Sequence, residues 1–289
     1  LGAATTGDGR NVAIGQGAMV ATTTGAYNVG IGESALGSNT TGGSNVAIGA
    51  TAGDAITTGS RNTLIGKDAG GSISTQDDCV FIGNLCGEAN TASSNTGVGQ
   101  QCLEVNSSGS ALTAVGKMAL EANTSGSYNT AMGHEAGRAN TSGAQNTLIG
   151  RNAGTSLTTG GTNTGVGDGT LGSVTSGTLN TAIGSDAGSN LASGASENTL
   201  LGASSKTGAT NSSHAIVIGS GITPTATNDK VTIGKPSNLI SNVFTSNATW
   251  ARVSDERKKK NIKEDTLGLD FINDLKTVTF EWKPNHEFP

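Results

Sequence analysis

The chain has 289 residues, 45 of them glycine and only nine aromatic, with 13% charged residues and a formal net charge of −5. Little positive charge is gathered anywhere, which excludes a nucleic-acid groove or a polybasic membrane patch, and no apolar run approaches the roughly twenty residues of a membrane span. Taken alone, this much glycine and this few aromatics would read as disorder, but a strict period overrules the composition.

From Val12 onward a β-branched residue, one other residue and an aliphatic residue are followed by glycine fourteen times, at Gly15, Gly32, Gly49, Gly66, Gly83, Gly99, Gly116, Gly133, Gly150, Gly167, Gly184, Gly202, Gly219 and Gly234. The spacing is 17 residues except for single intervals of 16, 18 and 15. Self-similarity of this kind is the mark of a stacked repeat. It predicts an all-β chain, a parallel β-solenoid or β-roll of about fourteen rungs over residues 1–234.

The position two before each glycine's aliphatic neighbour is Val, Thr or Ile in every copy (Val12, Val29, Val46, Thr63 and onward), and the neighbour itself is aliphatic (Ile14, Ile31, Ile48, Ile65 and onward). Residues two apart on a strand share a face, so these two columns are expected to point into the core. Between them stands a usually small residue, as in Ala13, Gly30, Ala47, Ala131 and Gly165, with Leu64, Phe81, Leu148 and Leu200 as exceptions. That face is expected to turn outward and pack against a partner chain, since a solvated strand face reads polar; Ala131→Lys or Gly165→Lys would then block assembly.

Asparagine opens the motif ten times, from Asn11 to Asn198, and predicts a ladder of stacked amides. Ala-Leu or Ala-Gly follows three and four residues after the glycine, and a further glycine comes ten after it, usually behind two Thr or Ser residues. Glycines at fixed offsets mark corners that need positive φ or close backbone approach, so each rung is expected to hold two short strands and two corners. The Thr-Thr-Gly and Thr-Ser-Gly corners line up as a threonine ridge, read as a solvated turn in preference to an ice- or glycan-binding array.

No chemistry is visible in the repeats. Cys86 and Cys102 share a column one rung apart and, with Cys79, read as small buried thiols. His134, His214 and His286 are too scattered for a triad or a zinc site, and no cofactor or metal is expected. Asp54, Asp68 and Asp168 form no paired-carboxylate column of the kind a glycan-cleaving enzyme needs.

After Gly234 the period stops. Residues 235–253 read as a connector, and 254–289 (SDERKKKNIKEDTLGLDFINDLKTVTFEWK and the residues after it) carry far more charge, with a short amphipathic helix expected over 265–276 and a strand over 277–283. Beginning with Leu1 and stopping at Pro289 in mid-pattern, the chain reads as part of a longer product.

The run Ser254-Asp255-x-Arg257-x-Lys259-x-Asn261-Ile262, then Gly268-Leu269, Ile272, Leu275 and Val278-x-Phe280-x-Trp282-Lys283, resembles the opening of the intramolecular chaperone domain, a self-cleaving peptidase domain of phage tail spikes and tail fibres, including endosialidases. The resemblance implies a homotrimer, other tail proteins as partners, a host surface glycan or protein as receptor, and a place in the virion tail. It also implies a catalytic pair, Ser254 as nucleophile and Lys259 as base, with Asp255 beginning the released piece. Lys258 stands where the family usually has an apolar residue, and residues 254–289 would be only the first part of such a small α+β domain. The repeats, with NVAIG at Asn11 and Asn45 and NTAIG at Asn180, are similar to the head repeats of trimeric autotransporter adhesins, which also implies a trimer. The readings that compete with a tail fibre are a bacterial surface adhesin or an ice-binding solenoid, and a polysaccharide-degrading tail spike.

Overall fold

The computed structural model describes residues 9–225 and 228–243, together with the backbone of 251–252. Thirteen three-residue strands, β1 (Val12–Ile14) to β13 (Ile216–Ile218), are followed by β14 (Lys230–Lys235), β15 (Asn238–Val243) and β16 (Ala251–Arg252), in one sheet whose order is the order of the chain. Every pairing from β1 to β14 is parallel, and the register places each motif on the next: Val12 beside Val29, Ile14 beside Ile31, Ile216 beside Val231. The sheet then closes with the antiparallel pairs β14–β15 and β15–β16. The fold is the expected parallel β-solenoid, with no helix among the described residues.

Which face is the core reverses the expectation. The middle residue of the three-residue strand is the buried one: Ala47, Leu64, Phe81, Ala131, Leu148 and Val217 are inside, while the residues on either side of them are half-buried or exposed. The period-2 pattern states correctly which residues share a face, but not which face turns inward. The rung is too narrow to bury two large side chains from a three-residue strand, so the single central side chain enters and the β-branched pair stays outside. The small-residue face is therefore the protomer's own interior and not a surface for a partner.

What packs on that face is the opposite wall of the same or an adjacent rung, three or four residues after the glycine, in a large-to-small exchange. Phe81 faces Gly87, where an added Cβ would lie 2.5 Å from the ring, and Leu148 faces Gly154, where it would lie 2.7 Å from Cδ2. Conversely Gly30 leaves room for Met19, and Gly97 for Cys86 and Phe81. Where both positions of a rung are small, as at Ala47 and Gly53, the space is taken by Leu36 and Leu64 of the adjacent rungs, which keeps the interior filled without overpacking.

The second strand of each rung is also absent. Positions two and four after the glycine hold positive φ, as at Ser34 (55°) and Leu36 (52°) or Thr51 (57°) and Gly53 (56°), so the wall is not extended. It still bonds rung to rung, Ser34 N–H to Gln16 O at 2.8 Å and Leu36 N–H to Ala52 O at 3.1 Å, which leaves it as tightly stacked as a sheet. The motif glycines are irreplaceable for two reasons at once. At Gly133 φ is +140° and an added Cβ would sit 2.4 Å from the carbonyl oxygen of Gly150.

The asparagine ladder is present and buried. Asn163 shows the full pattern: its backbone N–H and side-chain Nδ2 donate to Asn146 Oδ1, Nδ2 also donates to Gly177 O at 2.9 Å, and its own Oδ1 accepts from the backbone and side chain of Asn180. A second buried amide stack, Asn90, Asn106, Asn123 and Asn140, runs beside it and was not anticipated.

Candidate assembly face

With the central residue of each strand turned inward, the two flanking columns form an outward strip. One column holds Val12, Val29, Val46, Thr63 and their successors, the other Ile14, Ile31, Ile48, Ile65, Val115, Met132, Ile149 and Ile183. Ile14 is 58% exposed, Ile183 44%, Met132 42% and Ile149 37%. At the spacing of paired strands, fourteen such layers extend for about 60 Å. Soluble monomers rarely expose an apolar patch of more than a few hundred Å², so the aliphatic column, flanked by a Val/Thr/Ile column that is threonine from Thr96 to Thr199, makes this strip the candidate assembly face.

The borders of the strip are polar and locally paired. On one side, just before the ladder asparagines, runs a column in which every residue from Arg10 to Asp229 has positive φ though none is glycine. It carries Arg10 over the Tyr27 ring at 5.4 Å, the Arg61–Asp78 pair at 2.7 Å, and His214 held by Glu197 at 2.9 Å. Tyr27, Tyr128 and Leu179 are its exposed large members. On the other side Arg151 meets Asp168 at 2.7 Å, across one rung, and its guanidinium holds that carboxyl below the usual range. Such exposed pairs contribute little to stability, and they set the edges of the strip in register.

The remaining sequence candidates are structural. The threonine ridge spends its inner hydroxyls on the stack: Thr23, Thr40, Thr124, Thr141 and Thr158 each donate to the carbonyl of the residue in the same column one rung on. Asp68 is bound by Lys67 at 2.6 Å and accepts from Thr51, and Asp54 is raised by its partial burial, with the Asp68 charge adding to the effect. Cys79, Cys86 and Cys102 are free and buried, with Cys79 standing in the asparagine column, where its N–H donates to Asn62 Oδ1 at 3.0 Å. A hydrogen bond to Cys86, and then burial, push the Cys102 thiol far up. Among the described residues no group of His, Cys, Asp and Glu is arranged to hold a metal, and no helix is long and apolar enough to cross a membrane.

Ser254, Asp255 and Lys259, with the helix expected over 265–276 and the strand over 277–283, lie outside the described residues. The chain divides into a unit ending at Val253 and a second covering Ser254–Pro289. Residues 254–288 match the family model for the chaperone of endosialidase. No curated protein and no solved structure matched. A β-solenoid followed by this chaperone segment fits a tail-fibre-like or spike-type protein, and the family implies trimer assembly.

Proposed function

We propose that three copies of this chain form the shaft of a bacteriophage tail fibre, joined along the aliphatic strip, and that the segment from Ser254 onward directs their assembly and is then cut away. The observation that carries this reading is the outward strip running from Val12–Ile14 to Ile216–Ile218, whose aliphatic column keeps Ile14, Ile48, Met132, Ile149, Ile183 and Ile218 exposed among the described residues. Each rung alone cannot offset the ordering of seventeen residues, which costs on the order of 1–2 kcal/mol per residue; stacking supplies most of the compensation, and burial of the strip against partner copies adds to it in every layer.

In this account the shaft is structural and adhesive, carried on the virion tail among other tail proteins, and it presents a host glycan or protein receptor-binding surface. Ser254 is the nucleophile and Lys259 the base that takes its proton, a pairing that works when burial and neighbouring cations lower the pKa of the amine. Cleavage of the bond before Asp255, in which water supplies the hydroxyl of the new carboxylate and a proton reaches the released Asp255 amine, frees the chaperone piece once the trimer has formed. The test is the denatured mass of the full-length gene product. Wild type should yield a piece ending at Ser254, while Ser254→Ala should assemble but stay whole. A wild-type chain that stays whole in mature particles would remove the peptidase assignment and leave the shaft reading to the stoichiometry.

A further inference from the structure

The asparagine column ends in a lysine. Ala215 follows the last asparagine, Asn198, and continuing the β13–β14 register places Lys230 beside Ala215, two rungs beyond Asn198. Lys230 is only 8% exposed, and its Nζ donates to Thr225 Oγ1 at 2.6 Å. None of the carboxylates among the described residues forms an ion pair with it; the nearest acid in sequence, Asp229, faces His214 instead at 3.5 Å.

Around this ammonium is a cavity of about 120 Å³ lined by Thr223, Pro224, Thr225, Lys230, Thr232, Leu239 and Ser241. Thr232 and Ser241 are directly paired across β14–β15. Thr232 is buried, and its Oγ1 has no hydrogen-bond partner. The interior thus ends in a lysine that pairs with no carboxylate among the described residues, beside a buried hydroxyl without a partner. Both are costly to bury, and burial pushes the Lys230 ammonium down. A single ligand group would relieve both: an anion accepts from the amine and from the free protons of Thr225, Thr232 and Ser241.

We propose that this cavity is a binding site for a small oxyanion, a carboxylate or a phosphate group, with Lys230 as its charge partner and the three hydroxyls as donors. Pro224 and Leu239 close the apolar side, which limits the site to a group of about the size of acetate or phosphate. The site combines the buried Pro224, Lys230 and Thr232 with the half-buried Leu239 and Ser241 and the exposed Thr223 and Thr225 at the C-terminal end of the solenoid, and does not depend on the assembly face.

The 289-residue chain would be titrated, at constant ionic strength set with chloride, with ¹³C-labelled acetate and separately with inorganic phosphate, following ligand line broadening. Saturable binding of one of them is expected, and which one saturates separates the carboxylate source from the phosphate source. Lys230→Met should weaken it by about tenfold or more, the loss of a charge-assisted hydrogen bond. Thr232→Val should weaken it less, and Lys235→Met, on the exposed end of the same strand, should leave it unchanged. Absence of saturation with both probes, or equal broadening in wild type and Lys230→Met, overturns the assignment.

Discussion

Met132→Lys combined with Ile149→Lys places charges on two successive layers of the outward strip. In an isolated protomer both positions already reach solvent, at 42% and 37% exposure, and surface changes of this kind usually alter stability by no more than about 0.5 kcal/mol. In the assembly the consequence is different. Full burial of a Met or Ile side chain is worth roughly 1.5–3 kcal/mol, so covering the part still exposed returns on the order of 1 kcal/mol per residue per copy, and this is lost at both layers in all three chains. Around a threefold axis the new ammonium groups also repel, by about 3 kcal/mol per pair at 6 Å and an effective dielectric of 20. Even with the lysines bending away from one another, the assembly should lose many orders of magnitude in stability while the rungs stay intact. Size-exclusion chromatography with light scattering and far-UV circular dichroism read the two quantities separately. The double variant should run as single chains with an unchanged β spectrum, and a variant that keeps the wild-type oligomer would refute the assignment of this face.

Ala131→Lys, between Met132 and Thr130 on the same strand, should act in the opposite way: its side chain points into the interior beside Ala114 and Leu148, so the spectrum should collapse and proteolysis accelerate at that rung. Gly154→Ala should be destabilising because its Cβ meets Leu148 Cδ2 at 2.7 Å, and adding Leu148→Ala should recover part of the loss in a thermal melt, although Leu148→Ala alone costs roughly 2–5 kcal/mol. Asn163→Ala strands the Gly177 carbonyl and the Asn180 N–H in the interior and should cost about 2–5 kcal/mol in denaturant titration, at about 1–3 kcal/mol for each unsatisfied group. Cys102, held as a thiol by its hydrogen bond to Cys86 and by burial, should resist iodoacetamide at pH 8 in the native chain and react on unfolding.

Much of this was legible because a one-dimensional stack writes itself into the sequence. Each motif residue lies beside its copy, so the spacing of Gly15, Gly32 and Gly49 gave the register of β1 to β3 directly, and the irregular intervals at Gly99, Gly202 and Gly234 are absorbed in the turns without a break in pairing. The inward direction was not legible from period alone, since alternation is the same viewed from either face. A signal was available in the pairing of Phe81 with Gly87 and of Gly30 with Leu36, where one residue is large when its partner six positions on is small; such reciprocity belongs to a shared interior. The second asparagine stack was hidden because Ile56, Ile73, Leu157 and Val174 interrupt its column. The positive-φ column of Tyr27, Arg61, Tyr128 and Leu179 had no glycine to announce it. There the rung's stacked hydrogen bonds, not local propensity, hold the backbone left-handed.

The most direct test of a shared shaft is the native mass of the full-length gene product, with a collisional step that releases single chains so that stoichiometry and chain length are read together. Assembly along the aliphatic strip predicts three chains in each particle. A particle of one chain, with the strip open to solvent, would contradict it.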